Sequence, residues 1–263
     1  MDTQFRTSEI SDPTFESNNL RWITIKSKHL KGRGDICVFV PPLEGLSHVP
    51  LIILLHGVYG SAWSWSQQGG AHLTAWELIK KGEIAPMVIA MPSDGLWGDG
   101  SGYLPHNQKD FERWIVDDVP EAVLQNIPMV SKTSPLCLSG LSMGGFGALR
   151  LGFKYAPKFK AISAHSSITH LDQLSLFVEE ELGNFTQADA HEHSVLGILD
   201  NGVDKLPKIR FDCGTEDPLI EHNRALHNAL EKRNIPHEYQ EFRGGHEWPY
   251  WQKHVVDTLL FFK

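Results

Sequence analysis

Two hydrophobic rhythms run along this chain. Leu20-Arg21-Trp22-Ile23-Thr24-Ile25 alternates at the two-residue period of a half-buried strand, and Asp35-Ile36-Cys37-Val38-Phe39-Val40 repeats the pattern. Gly32-Arg33-Gly34 predicts a turn between them, and so an antiparallel opening pair. Beyond Val40 come short runs that are apolar on both faces, at residues 51–55, 87–90, 136–139, 160–164 and 209–213. Amphipathic stretches such as 111–126 and 219–233 separate them and predict helices. Strands without a polar face belong in a parallel sheet covered on both sides. The expected class is therefore α/β, with a mostly parallel central sheet and helices on both faces. Residues 1–19 read as a loose polar arm and 20–263 as a single domain. Residues 171–200, where periodicity is weak, are expected to form a helical insert over the site.

Ligands on such sheets lie beyond the carboxyl ends of the strands, so the residues just after each strand are the place to seek chemistry. Gly140-Leu141-Ser142-Met143-Gly144 follows one apolar run and opens a glycine-rich helical stretch. A G-x-S-x-G at a strand-to-helix turn is the signature of a nucleophile elbow, where a strained serine needs small flanking residues. Ser142 is the candidate nucleophile, and the N–H of Met143, at the helix start, is one candidate oxyanion donor. The second donor is expected in His56-Gly57-Val58-Tyr59-Gly60-Ser61, after the run 51–55, from Val58 first and from Tyr59 as the alternative. His56 is then expected to hold this loop.

The chain has 14 histidines, so position must select the base. His246, in Gly244-Gly245-His246-Glu247-Trp248, follows the strand-like stretch 237–242, the last predicted strand, and precedes a C-terminal helix. The acid is expected after the run ending at Cys213, where Gly214-Thr215-Glu216-Asp217-Pro218 offers two carboxylates. Asp217 is favoured over Glu216, and Ser142, Asp217 and His246 follow the chain order of α/β-hydrolases. Asp217 ahead of Pro218 is also placed to cap a helix, a purely structural role. Tyr59, Trp97 and Trp248 are candidate substrate contacts, since aromatic walls suit an acyl chain, a phenol or a sugar face.

Composition narrows the partners. A formal charge of −8 with no Lys/Arg cluster disfavours nucleic acid. Cys37, Cys137 and Cys213 lie within apolar runs and read as small buried hydrophobes. No apolar run is long enough to cross a bilayer, and residues 1–19 lack signal-peptide character, so no membrane partner and a cytoplasmic location are expected. His191 and His193 alternate around Glu192 and lack a convincing further ligand, and no G-x-G-x-x-G follows the first parallel strand. Neither metal nor cofactor is expected. No sequence feature bears on oligomeric state.

Taken together, Leu55-His56-Gly57 with Gly60-Ser61 and Trp65, Met91-Pro92, Ser139 through Ala148, Gly214-Thr215-Glu216-Asp217, and Gly245-His246-Glu247-Trp248 with Trp251 resemble the esterase D-like branch of α/β-hydrolases. That branch includes S-formylglutathione hydrolases, tributyrin esterases, feruloyl esterases and mycolyltransferases. The chain looks most similar to the tributyrin and feruloyl types, and it lacks the cysteine-bearing loop expected of formylglutathione hydrolases near His56. The resemblance implies the α/β-hydrolase fold and a serine carboxylic-ester hydrolase acting through an acyl-enzyme on small esters. Short-chain acyl esters, of carbohydrates or phenolics, are the expected substrates. An acyltransferase with the same triad and a non-catalytic binding protein are the alternatives.

Overall fold

A computed structural model describes residues 5–202 and 205–263. Its main sheet contains β1 (Ser8–Ile10), β2 (Leu20–Ser27), β3 (Gly32–Phe39), β4 (Leu51–Leu55), β5 (Val88–Pro92), β8 (Leu136–Leu141), β9 (Ala161–His165), β10 (Lys208–Gly214) and β11 (Glu238–Phe242), while β6 (Pro105–His106) and β7 (Lys109–Asp110) pair separately. The order across the sheet is β1-β2-β3-β5-β4-β8-β9-β10-β11. β1, β2, β3 and β5 join antiparallel, and β5, β4, β8, β9, β10 and β11 run parallel. All five residues of β4, β5 and β9 are buried, as their unbroken apolar character requires.

The helices are α1 (Ser64–Gln67), α2 (Ala71–Lys80), α3 (Phe111–Arg113), α4 (Val119–Asn126), α5 (Met143–Lys154), α6 (Val195–Asp200), α7 (Ile220–Lys232) and α8 (Trp248–Phe261). Two hydrophobic clusters divide them between the sheet faces. Val119, Phe146 and Leu226 carry α4, α5 and α7 on one face. Ala75, Leu78, Val255 and Leu259 carry α2 and α8 on the other. After β4 the chain places β5 on one side and β8 on the other, which opens a crevice at the carboxyl ends of β4 and β8.

Several local expectations are corrected. The turn between β2 and β3 is made by residues 28–31, with Lys31 at φ 51°, and Gly32 and Gly34 lie inside β3. Gly34 is small for a packing reason: a side chain there would come within 2.5 Å of the Trp114 ring. The arm is not loose where it is described, because Ser8–Ile10 pairs with Ile23–Ile25 as an edge strand. Three residues were too few to show a period. The helix over 111–126 is broken into α3 and α4 by a π-helical turn at Trp114–Asp118, which ends ahead of Pro120. Residues 171–200 form 3-10 turns at Leu171–Leu176, Leu182–Phe185 and Ala190–His193, and only then the short α6. Buried Leu174, Phe185 and Val195 anchor the segment, and the Glu192 carboxylate meets buried Arg150 of α5. Arg150 also contacts Glu112 at 2.7 Å, and Lys154 bridges Glu112 and Glu192.

Among the described residues no helix is long and apolar enough to cross a membrane. The three cysteines are buried and unpaired. Burial pushes the thiols of Cys37 and Cys137 up to about 11, the opposite of what a nucleophilic thiol needs.

A charged cluster lies beneath the β9 and β10 strands. Asp212 is fully buried beside Arg210 at 2.5 Å, His165 at 2.8 Å and the Tyr250 hydroxyl at 2.7 Å. His165 also bonds Thr258 of α8, so the cluster pins α8 to the sheet. Burial alone would raise the Asp212 pKa, but His165, Arg210 and Tyr250 outweigh it and hold the carboxyl at about 2. An unfolded aspartate titrates near 3.9. The pairing therefore stabilises the fold above about pH 4, and the stability is lost as pH falls toward 2. Asp212→Asn is expected to cost about 3–5 kcal/mol in urea unfolding at pH 7. Its deficit against the parent should shrink between about pH 4 and pH 2; an equal deficit at both ends contradicts the account.

Candidate active site

Ser142 links β8 to α5 at φ 55° and ψ −120°, a conformation that L side chains rarely adopt. Two glycines make it possible. A methyl group on Gly140 would strike the Gly144 backbone, and one on Gly144 would strike the carbonyl oxygens of Leu55 and His56. The turn is fixed by Ser142 N–H donating to His165 O at 2.9 Å, and by the Ser142 carbonyl accepting from Phe146 N–H at 3.1 Å and Ile168 N–H at 3.3 Å. The side chain has little freedom and is 2% exposed. Met143, as the first residue of α5, has no carbonyl one turn back to bond its N–H.

The Ser142 Oγ lies 2.9 Å from His246 Nε2, and His246 Nδ1 lies 2.9 Å from Asp217 Oδ2. A carboxylate can only accept, so Nδ1 carries the proton and the Nε2 lone pair faces the serine. Asp217 is buried, and its other oxygen accepts from Leu219 N–H at 2.8 Å at the entry to α7. The capping role and the pairing with His246 are thus both present, on different oxygens. Glu216 instead faces solvent, 3.5 Å from exposed Arg243. The loops bearing Asp217 and His246 are clasped by the backbone: Glu216 N–H donates to Gly244 O and Thr215 N–H to Phe242 O. Gly244, at φ 147°, passes so close to Tyr250 that an added Cβ would lie 2.7 Å from its ring. The imidazole is held between two aromatic rings, stacked on Phe177 at 4.7 Å and met edge-on by Trp251 at 5.0 Å.

The loop after β4 closes the other side. His56 is buried; its Nδ1 donates to Gly57 O at 2.6 Å and its Nε2 accepts from Asp94 N–H at 3.0 Å, so it braces the loop. Both ring nitrogens are thereby engaged. A Cβ on Gly57 would lie 3.3 Å from Ser142 Cβ, which brings this backbone against the serine. Tyr59 N–H donates to Asp99 O at 2.7 Å and is engaged elsewhere, whereas Val58 N–H has no partner among the described residues. Asp99 joins three segments: its carboxylate accepts from Tyr59 OH and Glu179 N–H, and its N–H donates to the Glu180 carboxylate.

These elements enclose a cleft of about 270 Å³ containing Ser142 and His246. Val58, Tyr59 and Trp248 line it, as do Trp63, Gln68, Leu141, Phe177 and Trp251. Trp97 is a correction to the expected wall. It is not among the lining residues and packs edge-on against His106 at 4.5 Å and Phe185 at 5.4 Å. Phe177 had no signal in the chain, because it follows a 3-10 turn with no amphipathic period. Trp65 is buried, donating to Leu55 O at 2.9 Å.

The esterase family model, described as "Putative esterase", matches residues 27–262. An acetyl esterase of Caldicellulosiruptor saccharolyticus is 29% identical over 226 residues, 79% of this chain and 81% of the relative. Among solved structures, an S-formylglutathione hydrolase from Staphylococcus aureus superposes with a TM-score of 0.80 at 18% identity, covering 96% of this chain and 98% of its own. A ferulic acid esterase from Anaeromyces mucronatus, solved with ferulic acid, gives a TM-score of 0.69 at 18% identity over 98% and 94% of the two chains. The fold is that of the α/β-hydrolases and the chain is a carboxylic ester hydrolase. It belongs to the esterase family that this model defines.

The packing around the elbow makes a specific demand. Gly144→Ala is expected to lower stability by about 1–3 kcal/mol and to reduce ester turnover, because both obstructing atoms are backbone carbonyls. Gly183→Ala, where a Cβ meets open space, serves as the control. Urea unfolding and an ester assay of both variants check this; equal behaviour of the two contradicts it.

Proposed function

We propose that the chain hydrolyses short-chain acyl esters through a Ser142–His246–Asp217 triad and an acyl-enzyme. The observation that carries this reading is the unbroken relay of two 2.9 Å contacts from Ser142 Oγ through His246 to Asp217. His246 Nε2 takes the Ser142 proton as Oγ attacks the ester carbonyl, and Asp217 orients the imidazole and stabilises its charged form. The developing oxyanion is met by the N–H groups of Met143 and Val58; each such donor is worth about 3 kcal/mol to the transition state. His246 then protonates the departing alcohol. Water, activated by the same imidazole, cleaves the acyl-enzyme and returns the proton to Ser142.

The size and walls of the cleft support the substrate class. At about 270 Å³ it is small beside the ~300–1,000 Å³ of pockets for drug-sized ligands. Phe177, stacked on His246, narrows the cleft beside the catalytic pair, which suits an acetyl or similarly small acyl group, as the name of the acetyl esterase relative also suggests. Trp63 and Trp248 offer flat faces to a sugar or phenolic alcohol. Asp99, Glu179 and Glu180 beside Tyr59 disfavour anionic substrates.

Hydrolysis of p-nitrophenyl esters of increasing acyl length tests this. Acetate and butyrate are expected to exceed octanoate in kcat/KM, and Ser142→Ala should lower kcat more than about a thousandfold. Retention of turnover by Ser142→Ala would remove the serine from the mechanism. Phe177→Ala is expected to shift the preference toward longer acyl chains while lowering kcat/KM for acetate about tenfold, since the imidazole loses its stacked support. An unchanged length profile would show that Phe177 does not bound the acyl site.

A further inference from the structure

A second cluster of chemically capable side chains lies away from the cleft, where α7 ends and β11 begins. His227 and Glu231 are one turn apart on α7, and His237 immediately precedes β11. One ligand-capable atom from each of the three lies within 4.8 Å of the others. His227 Nδ1 and His237 Nε2 face one another at 2.8 Å.

Each ring is oriented by its surroundings. His237 Nδ1 is 2.8 Å from the Ile235 carbonyl oxygen, which can only accept, so Nδ1 carries the proton and Nε2 presents a lone pair. That outer hydrogen bond to a carbonyl is the support that metal-bound histidines use to fix tautomer and aim. The His237 ring stacks on Phe211 at 5.7 Å, and the His227 ring stacks on Tyr239 at 4.7 Å. Both imidazoles are half-buried, while Glu231 is exposed at the open side.

We propose that His227, Glu231 and His237 bind a divalent transition metal, with Zn²⁺ the best match. Two imidazole nitrogens and a carboxylate are a donor set that zinc accepts, with solvent water as fourth ligand. With Zn–N near 2.0–2.1 Å and tetrahedral angles, two nitrogens sharing the ion stand about 3.3 Å apart. The rings need to part by only about half an ångström, and His227 must move its proton from Nδ1 to Nε2 through solvent. The chain's net charge of −8 favours cation capture.

The position gives the ion a purpose. Asp217 follows β10 just ahead of α7, and His246 follows β11, so the β10–α7–β11 unit holds both partners of Ser142 at its cleft end. The metal would clamp α7 to β11 at the opposite end of that unit. Among the described residues β11 is the last strand of the sheet, bonded only to β10 there. The ion therefore acts on the stability of the edge that presents Asp217 and His246, not on the reacting ester.

Calorimetric titration of Zn²⁺ into the full chain in a non-chelating buffer tests the site, with thermal unfolding and the visible spectrum of Co²⁺ as independent readouts. One equivalent of Zn²⁺ is expected to bind and raise Tm, and Co²⁺ should give the d–d absorption of a tetrahedral site. His227→Gln and His237→Gln should each weaken binding more than about tenfold, the loss that removing even an outer-shell partner causes. Both should keep the fold and their ester hydrolysis. His222→Gln, exposed on the same helix, should bind as the parent does. Absence of stoichiometric binding, or binding that survives in both His227→Gln and His237→Gln, overturns the proposal.

Discussion

The site depends on one strained residue. Ser142 is held at a positive φ between a strand and a helix, and the strain persists because the surroundings leave no alternative. Its N–H is bound to His165 on the neighbouring strand, its carbonyl to the first turn of α5 and to Ile168, and both flanks are closed to any residue larger than glycine. The same geometry turns Oγ toward His246 and leaves the Met143 N–H at the head of a helix. Relaxing Ser142 would undo both arrangements together.

The other participants are brought to this point by the parallel sheet. Val58, Ser142, Asp217 and His246 follow β4, β8, β10 and β11, and parallel strands deliver all four loops to one edge. The loops are then cross-braced through backbone groups. Gly144 fits against the carbonyls of β4's end, Glu216 N–H reaches Gly244 O, and Asp99 ties the Tyr59 loop to the 179–180 turn. Backbone braces of this kind cost little entropy to hold and leave the side chains for chemistry. Asp217 shows the economy of the arrangement, since one carboxylate fixes the start of α7 and the orientation of His246.

What could be read in the chain was local and repetitive. The unbroken apolar runs placed all five expected parallel strands to within a residue or two, and G-x-S-x-G located the elbow because the motif itself is a short local pattern, with Gly140 small to clear the Gly144 backbone four residues on. Features set by distant partners left no such trace. Gly34 looked like a turn residue and is small because Trp114, eighty residues on, needs the space. Trp97 follows a strand at the correct edge, yet Phe185 and His106 draw its ring aside. Phe177 reaches His246 from a segment of 3-10 turns whose order comes from anchors at Leu174, Phe185 and Arg150. His227 and His237 lie ten residues apart on different elements, and only the fold sets one against the other.

The central claim is that Ser142 becomes covalently acylated with His246 as its base. Incubating the protein with an activated organophosphonate ester, followed by peptide mapping by mass spectrometry, tests it most directly. The account predicts one adduct, on the peptide containing Ser142, formed far more slowly when His246 is replaced by Ala. An adduct on another residue, or labelling of Ser142 at the parent rate without His246, would contradict it.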